Sequence, residues 1–330
     1  MAEAFGNEVE PYNFRVGASR RGEAITESPS WDSESHPVLS GSADRRTPFT
    51  KLLGLIPGKD NLRFSTTVGL AKQIKEKIEQ CLNSSSGCYV AVTGVAVGAL
   101  AHIDQAFCEQ GIRSSARFTY EGPLNSLIIR LMPGVPHDLV SRSLFYRVGR
   151  KIDSFPGLVD TWFPLGSAEF EAHGRRKKQG DEAIKPATRS LRTDWPSLVI
   201  EVGYSESLRG LRFDAEWWLR YSAGQTKMVI IVKMVIIVKI KCNLNAIRLE
   251  CWEMYRDPAR RVTRSTAAVP TCRQWFKIDN LGIVTPFNPS QSLEIPYHTI
   301  FDTGPQNHPP FAFSQAELSS WALYVYSALS

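Results

Sequence analysis

Apolar and polar positions alternate with period two through Pro196-Ser-Leu-Val-Ile-Glu-Val-Gly203, which places Leu198, Ile200 and Val202 on one face of a strand. Ser197, Val199, Glu201 and Gly203 fall on the other, so Glu201 is expected to look away from the more apolar side, toward a groove. The period then changes. Leu208, Leu211, Ala215, Trp218, Leu219 and Ser222 recur at helical spacing and predict a helix that stops near Gly224, whose missing Cβ suits a left-handed cap. Trp218 belongs to the buried face, and its neighbour Trp217 is expected to be partly exposed. Next, Lys227-Met-Val-Ile-Ile-Val232 is repeated at once as Lys233-Met-Val-Ile-Ile-Val238. An even repeat keeps every side chain on its sheet face. Twelve extended residues span about 40 Å, roughly twice an ordinary strand. One copy is therefore expected inside the core sheet, while the other overhangs, bulges or pairs at an edge. The lysines interrupt a run already too short to cross a membrane.

Similar reasoning covers the rest of the chain. Leu139 or Val140, Leu144, Val148 and Ile152 carry helical spacing over 136–152, with Pro136 a suitable start. Residues 117–120 and 126–131 read as a β-hairpin about the turn Glu121-Gly-Pro-Leu-Asn125. Thr67 can cap a helix carrying Ala71, Ile74, Ile78 and Leu82, and the apolar stretch from Tyr89 to Phe107 fits either a strand start or a helix. Residues 246–254 alternate as a strand, and Ser314-Gln-Ala-Glu317 is a capping box opening a helix with Leu318, Trp321, Ala322, Val325 and Leu329. The first sixty residues, rich in Ser, Glu, Arg and Pro, are expected to lack order. The organisation so predicted is an α/β protein with a disordered 1–60, a helical extension over 61–114, a core over 115–255, and C-terminal loops plus a closing helix over 256–330.

Composition adds little to the fold. At 330 residues and 43% hydrophobic content the chain can bury one substantial core. Six cysteines without CxxC pairs read as reduced packing residues. No apolar leader core follows Met1-Ala-Glu-Ala-Phe-Gly6, so a non-secreted, intracellular protein of the nucleus or cytoplasm is expected. The net charge of +6 favours an acidic partner. Its placement is more telling, because Arg175-Arg-Lys-Lys178 stands just before the acid Asp181. The run can steer a phosphate backbone, act as an import patch, or be a solvated loop.

If residues 180–186 form the strand antiparallel to 198–203, Asp181 and Lys185 share a face, and Asp181 can sit beside Glu201. Two hard carboxylates suit Mg2+ or Mn2+, which lowers the pKa of bound water and stabilises charge on a phosphodiester. The order helix, three strands, helix, strand, with Asp181 opening the second strand and Glu201 closing the third, resembles the PD-(D/E)XK restriction-endonuclease-like superfamily. More narrowly, Trp195-Pro-Ser-Leu-Val-Ile-Glu-Val-Gly-Tyr-Ser-Glu-Ser-Leu208, Asp214-Ala-Glu-Trp-Trp-Leu219 and Val229-Ile-Ile231 resemble a group of fungal proteins with that fold. The likeness covers roughly residues 115 to 255.

The resemblance implies a restriction-endonuclease-like core with a mixed central sheet, and a Mg2+-dependent nuclease of DNA or RNA with Asp181 and Glu201 as metal ligands. It also implies a lysine two residues after Glu201, where Gly203 stands instead. Lys185 is the expected substitute, with Arg212 a second candidate cation that cannot serve as a base. Asp138, in the first helical turn, is a possible third acid, or simply complements the helix dipole, and His137 is expected to cap or meet solvent. The missing lysine equally fits a degenerate nuclease fold that binds nucleic acid or a protein partner without cleaving.

Overall fold

The computed structural model describes residues 46–329 except 85–87, 132–134, 205–206, 238–242, 257–266, 288–290 and 306. The chain enters through helix α1 (Pro48–Leu53), whose N-cap Thr47 accepts the Thr50 amide at 3.2 Å. Residues 46–60 were expected to lack order, yet Phe49, Leu52 and Ile56 are buried. Three apolar side chains in an eight-residue window are too short a signal for periodicity but enough to anchor one turn-and-a-half of helix. Strand β1 (Asn61–Arg63), helix α2 (Thr67–Ser84), strand β2 (Cys88–Thr93) and helix α3 (Leu100–Glu109) follow. The cap of α2 is Thr66, whose Oγ1 accepts the Gly69 amide at 3.1 Å, one residue before the predicted Thr67. The stretch from Tyr89 to Phe107 is thus a strand and then a helix, and the expected helical extension is itself α/β.

The hairpin forms as predicted, as β3 (Ala116–Glu121) and β4 (Ser126–Leu131), with Asn125 at φ 46° closing its turn. Helix α4 (Val135–Asp153) leads into β5 (Trp162–Pro164), β6 (Glu169–Ala172), β7 (Arg176–Gln179), β8 (Glu182–Pro186) and β9 (Leu198–Gly203). Ser207 caps helix α5 (Leu208–Tyr221), which ends where Ala223 and Gly224 take φ of 52° and 80°. The long strands β10 (Met228–Ile237), β11 (Asn243–Tyr255) and β12 (Val269–Asp279) come next, then β13 (Val284–Phe287) and β14 (Leu293–Ile295). A short helix α6 (Tyr297–Ile300), strand β15 (Phe311–Phe313) and helix α7 (Gln315–Leu329) complete the described chain. The capping box of α7 is in place: Ser314 N donates to Glu317 Oε2 at 2.8 Å, and Glu317 N to Ser314 Oγ at 3.3 Å.

Two large sheets result. The central one has seven strands in the order β13-β12-β11-β10-β9-β8-β5, with β9 and β10 parallel across the α5 crossover and the other pairs antiparallel. The region after 255 therefore contributes β12 and β13 to this sheet, where loops and a closing helix were expected. The second sheet has six strands in the order β1-β2-β4-β3-β7-β6.

Burial explains the layering. On one face of the central sheet Leu198, Ile200, Val202, Ile230 and Ile247 pack with Val140, Leu144 and Val148 of α4 and Trp321 and Val325 of α7. On the other face Val199, Val229 and Ile231 meet Leu211, Ala215, Trp218 and Leu219 of α5. The second sheet buries Val90, Val92, Phe118 and Ile129 against α2 and α3, while Ala91 and Ile128 on its reverse join Phe49 of α1 and Phe213 of α5. Helix α5 thus has apolar contacts toward both sheets. That is why Trp217 is buried, not partly exposed: it stacks on Trp195 with ring centroids 5.8 Å apart.

The duplicated hexapeptide behaves as its length predicts. Met228–Lys233 pairs in parallel with Leu198–Gly203, whereas Met234–Ile237 runs past β9 and pairs with β11 alone, with a register shift between Val235 and Ile236. Val238 lies outside the described residues.

Candidate functional site

The β8 and β9 register, with Glu182 opposite Ile200 and Ala183 opposite Val199, carries one step further to set Asp181 beside Glu201. The predicted strand pairing therefore forms, and the two acids converge. Strand alternation turns both toward α5 and the second sheet, so Glu201 looks into a closed interlayer and is fully buried, where a groove was expected. Gly180 allows the close approach: a Cβ there would lie 3.3 Å from both the Trp218 ring and Val199.

The group on which the acids converge is Arg130. Its Nη2 donates to Asp181 Oδ1 at 2.7 Å and to Glu201 Oε2 at 2.8 Å. The remaining carboxylate oxygens are also occupied. Glu201 Oε1 accepts Trp218 Nε1 at 2.7 Å and lies 3.7 Å from the Lys178 ammonium. Asp181 Oδ2 accepts the Val202 amide at 2.8 Å and lies 3.1 Å from His137 Nε2. Four residues before Trp218 on α5, Asp214 accepts Lys178 Nζ at 2.6 Å and the Tyr89 hydroxyl at 3.2 Å. Asp181, Glu201 and Asp214 thereby face Arg130, Lys178 and His137, with Arg117 Nε a further 3.6 Å from Asp181 Oδ1. No side chain of Arg130, Asp181 or Glu201 exceeds 4% exposure, so water does not compete for these contacts.

The proton affinities follow from this packing. Burial disfavours the charged Asp181 carboxylate, but Arg130 and His137 outweigh it and hold the group well below the usual carboxylate range. Burial likewise opposes charging of His137, yet the adjacent Asp181 and Asp138 push it up to about 9. Glu201 is raised, because its desolvation exceeds the attraction of Lys178 and Arg130 and Asp181 repels it.

The other predicted residues fall elsewhere. Lys185 shares the strand face of Asp181 but stands four residues, about 13 Å, along it, and its Nζ donates to the Leu191 carbonyl at 2.8 Å. Asp138 does occupy the first turn of α4, with its side chain 62% exposed, and reaches Asp181 only through His137 Nδ1 at 3.3 Å. His137, expected to cap the helix or meet solvent, is buried with its Nε2 against Asp181. The basic run is mostly a strand: Arg176 pairs with Glu121 at 2.6 Å, Lys177 with Glu169 at 2.9 Å, and Lys178 is sealed in the interlayer. Arg175 is exposed in the preceding turn at φ 57°. Arg212 is not at a phosphate surface, since its Nε and Nη2 clasp Glu250 at 3.0 and 2.8 Å.

A Mg2+ or Mn2+ ion requires open oxygen ligands near 2.0–2.1 Å and space for several waters. Here the position between the two carboxylates is taken by a guanidinium, and every oxygen of the pair already faces an N–H donor or an imidazole nitrogen. Among the described residues no group of three or more His, Cys, Asp or Glu is arranged to hold a metal. The residues as arranged do not fit the ion. Arg130 and Asp214 were missed by sequence reasoning, although each leaves a trace. Arg130 interrupts the apolar run Ser126–Leu131, and Asp214 stands one turn from Trp218 on an apolar helix face. Comparison with protein-family models finds no match, and comparison with curated proteins finds none either. No helix among the described residues is long and apolar enough to cross a membrane.

Proposed function

We propose that this chain is a restriction-endonuclease-like protein that binds nucleic acid without hydrolysing it at Asp181 and Glu201. The observation that carries this reading is the Arg130 guanidinium seated on both carboxylates at 2.7 and 2.8 Å. A permanent cation there neutralises the acids that a metal would otherwise bridge and makes the centre an internal ion network. Gly203, in place of the expected lysine, agrees with it. The core order supports the fold half of the reading: α4, a strand group ending in β8 and β9, the α5 crossover and the parallel β10. The net charge of +6 supports the binding half.

The hydrolytic reading keeps one observation, the Lys178 ammonium 3.7 Å from Glu201, which occupies the neighbourhood where the superfamily lysine acts. It requires Arg130 to leave both acids and the interlayer to open. A single assay separates the two. Purified protein is incubated with single- and double-stranded DNA and RNA in Mg2+ or Mn2+, beside Glu201→Gln and Lys178→Met, each checked for a cooperative melt. Retention of nucleic acid without cleavage is expected. Metal-dependent cleavage that is lost in folded Glu201→Gln overturns the proposal and establishes a nuclease.

A further inference from the structure

A groove of about 900 Å3 runs between α4 and α7, on the side of the central sheet away from Arg130. Its lining has a definite composition. Arg142, Tyr146 and Arg150 recur every fourth residue of α4, so they form one stripe with about 6 Å between successive members. Arg147 and Lys151 flank that stripe, and Tyr324 of α7 faces it. The cations are available to a ligand. The Arg142 side chain is 76% exposed and reaches Glu182 only at 3.7 Å, and the Arg150 guanidinium lies 5.9 Å from the Tyr146 ring centroid. Lys151 is paired with Glu317, so it shapes the wall more than it offers charge.

The tyrosines carry the argument to a ligand class. Tyr146 and Tyr324 are 63% and 51% exposed, although the same helices bury Leu144, Val148, Trp321 and Val325 efficiently. Two exposed rings among arginines offer stacking surfaces beside backbone-neutralising charges, the combination that holds unpaired bases and their phosphates. Bases within a duplex are already stacked and cannot use them, and an acidic peptide would use the arginines but leave the rings idle.

We infer that the α4–α7 groove binds single-stranded nucleic acid, with Tyr146 and Tyr324 stacking bases and Arg142, Arg147 and Arg150 holding phosphates. This rests on the reading of the chain as a nucleic-acid binder and names the surface that does it. The site is separate from the Asp181 and Glu201 pair and meets it only at the groove end, where Asp138 contacts His137.

The test is fluorescence anisotropy of labelled oligo(dT) and oligo(U) with the full chain, competed by duplex DNA and by polyglutamate. Single strands are expected to bind with a salt slope of about −0.7 per phosphate contacted. Tyr146→Ala is expected to weaken binding about fivefold or more, whereas Tyr146→Phe retains it. Arg142→Ala with Arg150→Ala should lower the salt slope by about one to two contacts. These side chains are exposed, so the variants keep the wild-type melt. Single-strand binding unaffected by all of them overturns the groove while leaving the binding reading intact. Equal competition by polyglutamate or duplex overturns the single-strand assignment. No binding of any nucleic acid overturns the reading itself, and the groove with it.

Discussion

At the scale of residues, the most consequential side chain after Arg130 is His137, whose imidazole the buried network pushes up to about 9. Burial opposes its protonation, and Asp181 at 3.1 Å more than compensates, with Asp138 on the opposite ring nitrogen. Arg130 faces the same acid and opposes the imidazolium, as a like charge must. Folding thus raises the His137 pKa from 6.5 to about 9. A raised histidine stabilises the fold in full below its unfolded value, and that contribution is lost as pH rises through the folded one. Stability should therefore decline between pH 6.5 and about 9. His137→Gln, which can still donate to Asp181, should flatten this limb and also soften the acidic one, because the imidazolium shares with Arg130 in depressing Asp181. There Asp181 acts in the opposite sense, contributing above its ordinary carboxylate value and failing as pH falls toward its depressed one. Urea midpoints from pH 5 to 10 for both proteins check the point, and parallel curves would remove His137 from the network. Little of this was legible beforehand. A histidine in a first helical turn reads as solvent-facing, and only the non-local approach of β8 buries it.

At the scale of elements, most regular segments were legible because each carries its own period. The strand 198–203, helix α5, the hairpin and the capped α7 all appear where periodicity and caps placed them. The hexapeptide duplication shows how far such reasoning reaches. Evenness fixed the facing, and length required an overhang, but which copy would pair with β9 depended on where Gly203 ends that strand. The consequence is measurable. Amides of 228–233 lie between two partner strands, whereas beyond Lys233 every second amide of β10 has lost the β9 side. Native-state hydrogen exchange should find the first copy opening only with global unfolding. Alternate amides of 234–237 are expected to exchange at least roughly tenfold faster through local opening. Uniform protection across 228–237 would mean that some other segment covers the edge. The basic run failed for a related reason. Four consecutive charges carry no period, so Arg176–Gln179 reads as a loop until Glu121 and Glu169, from other strands, pair with it.

At the scale of the whole molecule, the ion network joins two sheets that local sequence patterns do not connect. Asp181 and Glu201 belong to the central sheet region, Arg130 and Lys178 to the second sheet, and Asp214 to the helix between them. The convergence of the two acids was legible from strand parity. Their partner was not, because Arg130 arrives from a strand seventy-one positions before Glu201. The N-terminal residues 46–60 were misread on the same ground, since Phe49, Leu52 and Ile56 find their cover in Ala91, Ile128 and Phe213 of distant elements. If the network is a clamp between layers, removing its central cation should cost far more than a surface ion pair. Arg130→Met keeps length and apolar bulk but strands two buried carboxylates without their guanidinium. Breaking a buried pair in this way typically costs about 3–5 kcal/mol. Neutralising the acids as well, with Asp181→Asn and Glu201→Gln in the Arg130→Met background, should recover part of that loss, because the penalty lies in unpaired charge and not in missing contacts. Denaturant unfolding of the wild type, Arg130→Met and the triple variant decides it. A single variant that loses less than about 1 kcal/mol would place the carboxylates in contact with water. That result would also reopen the space in which a divalent ion could act.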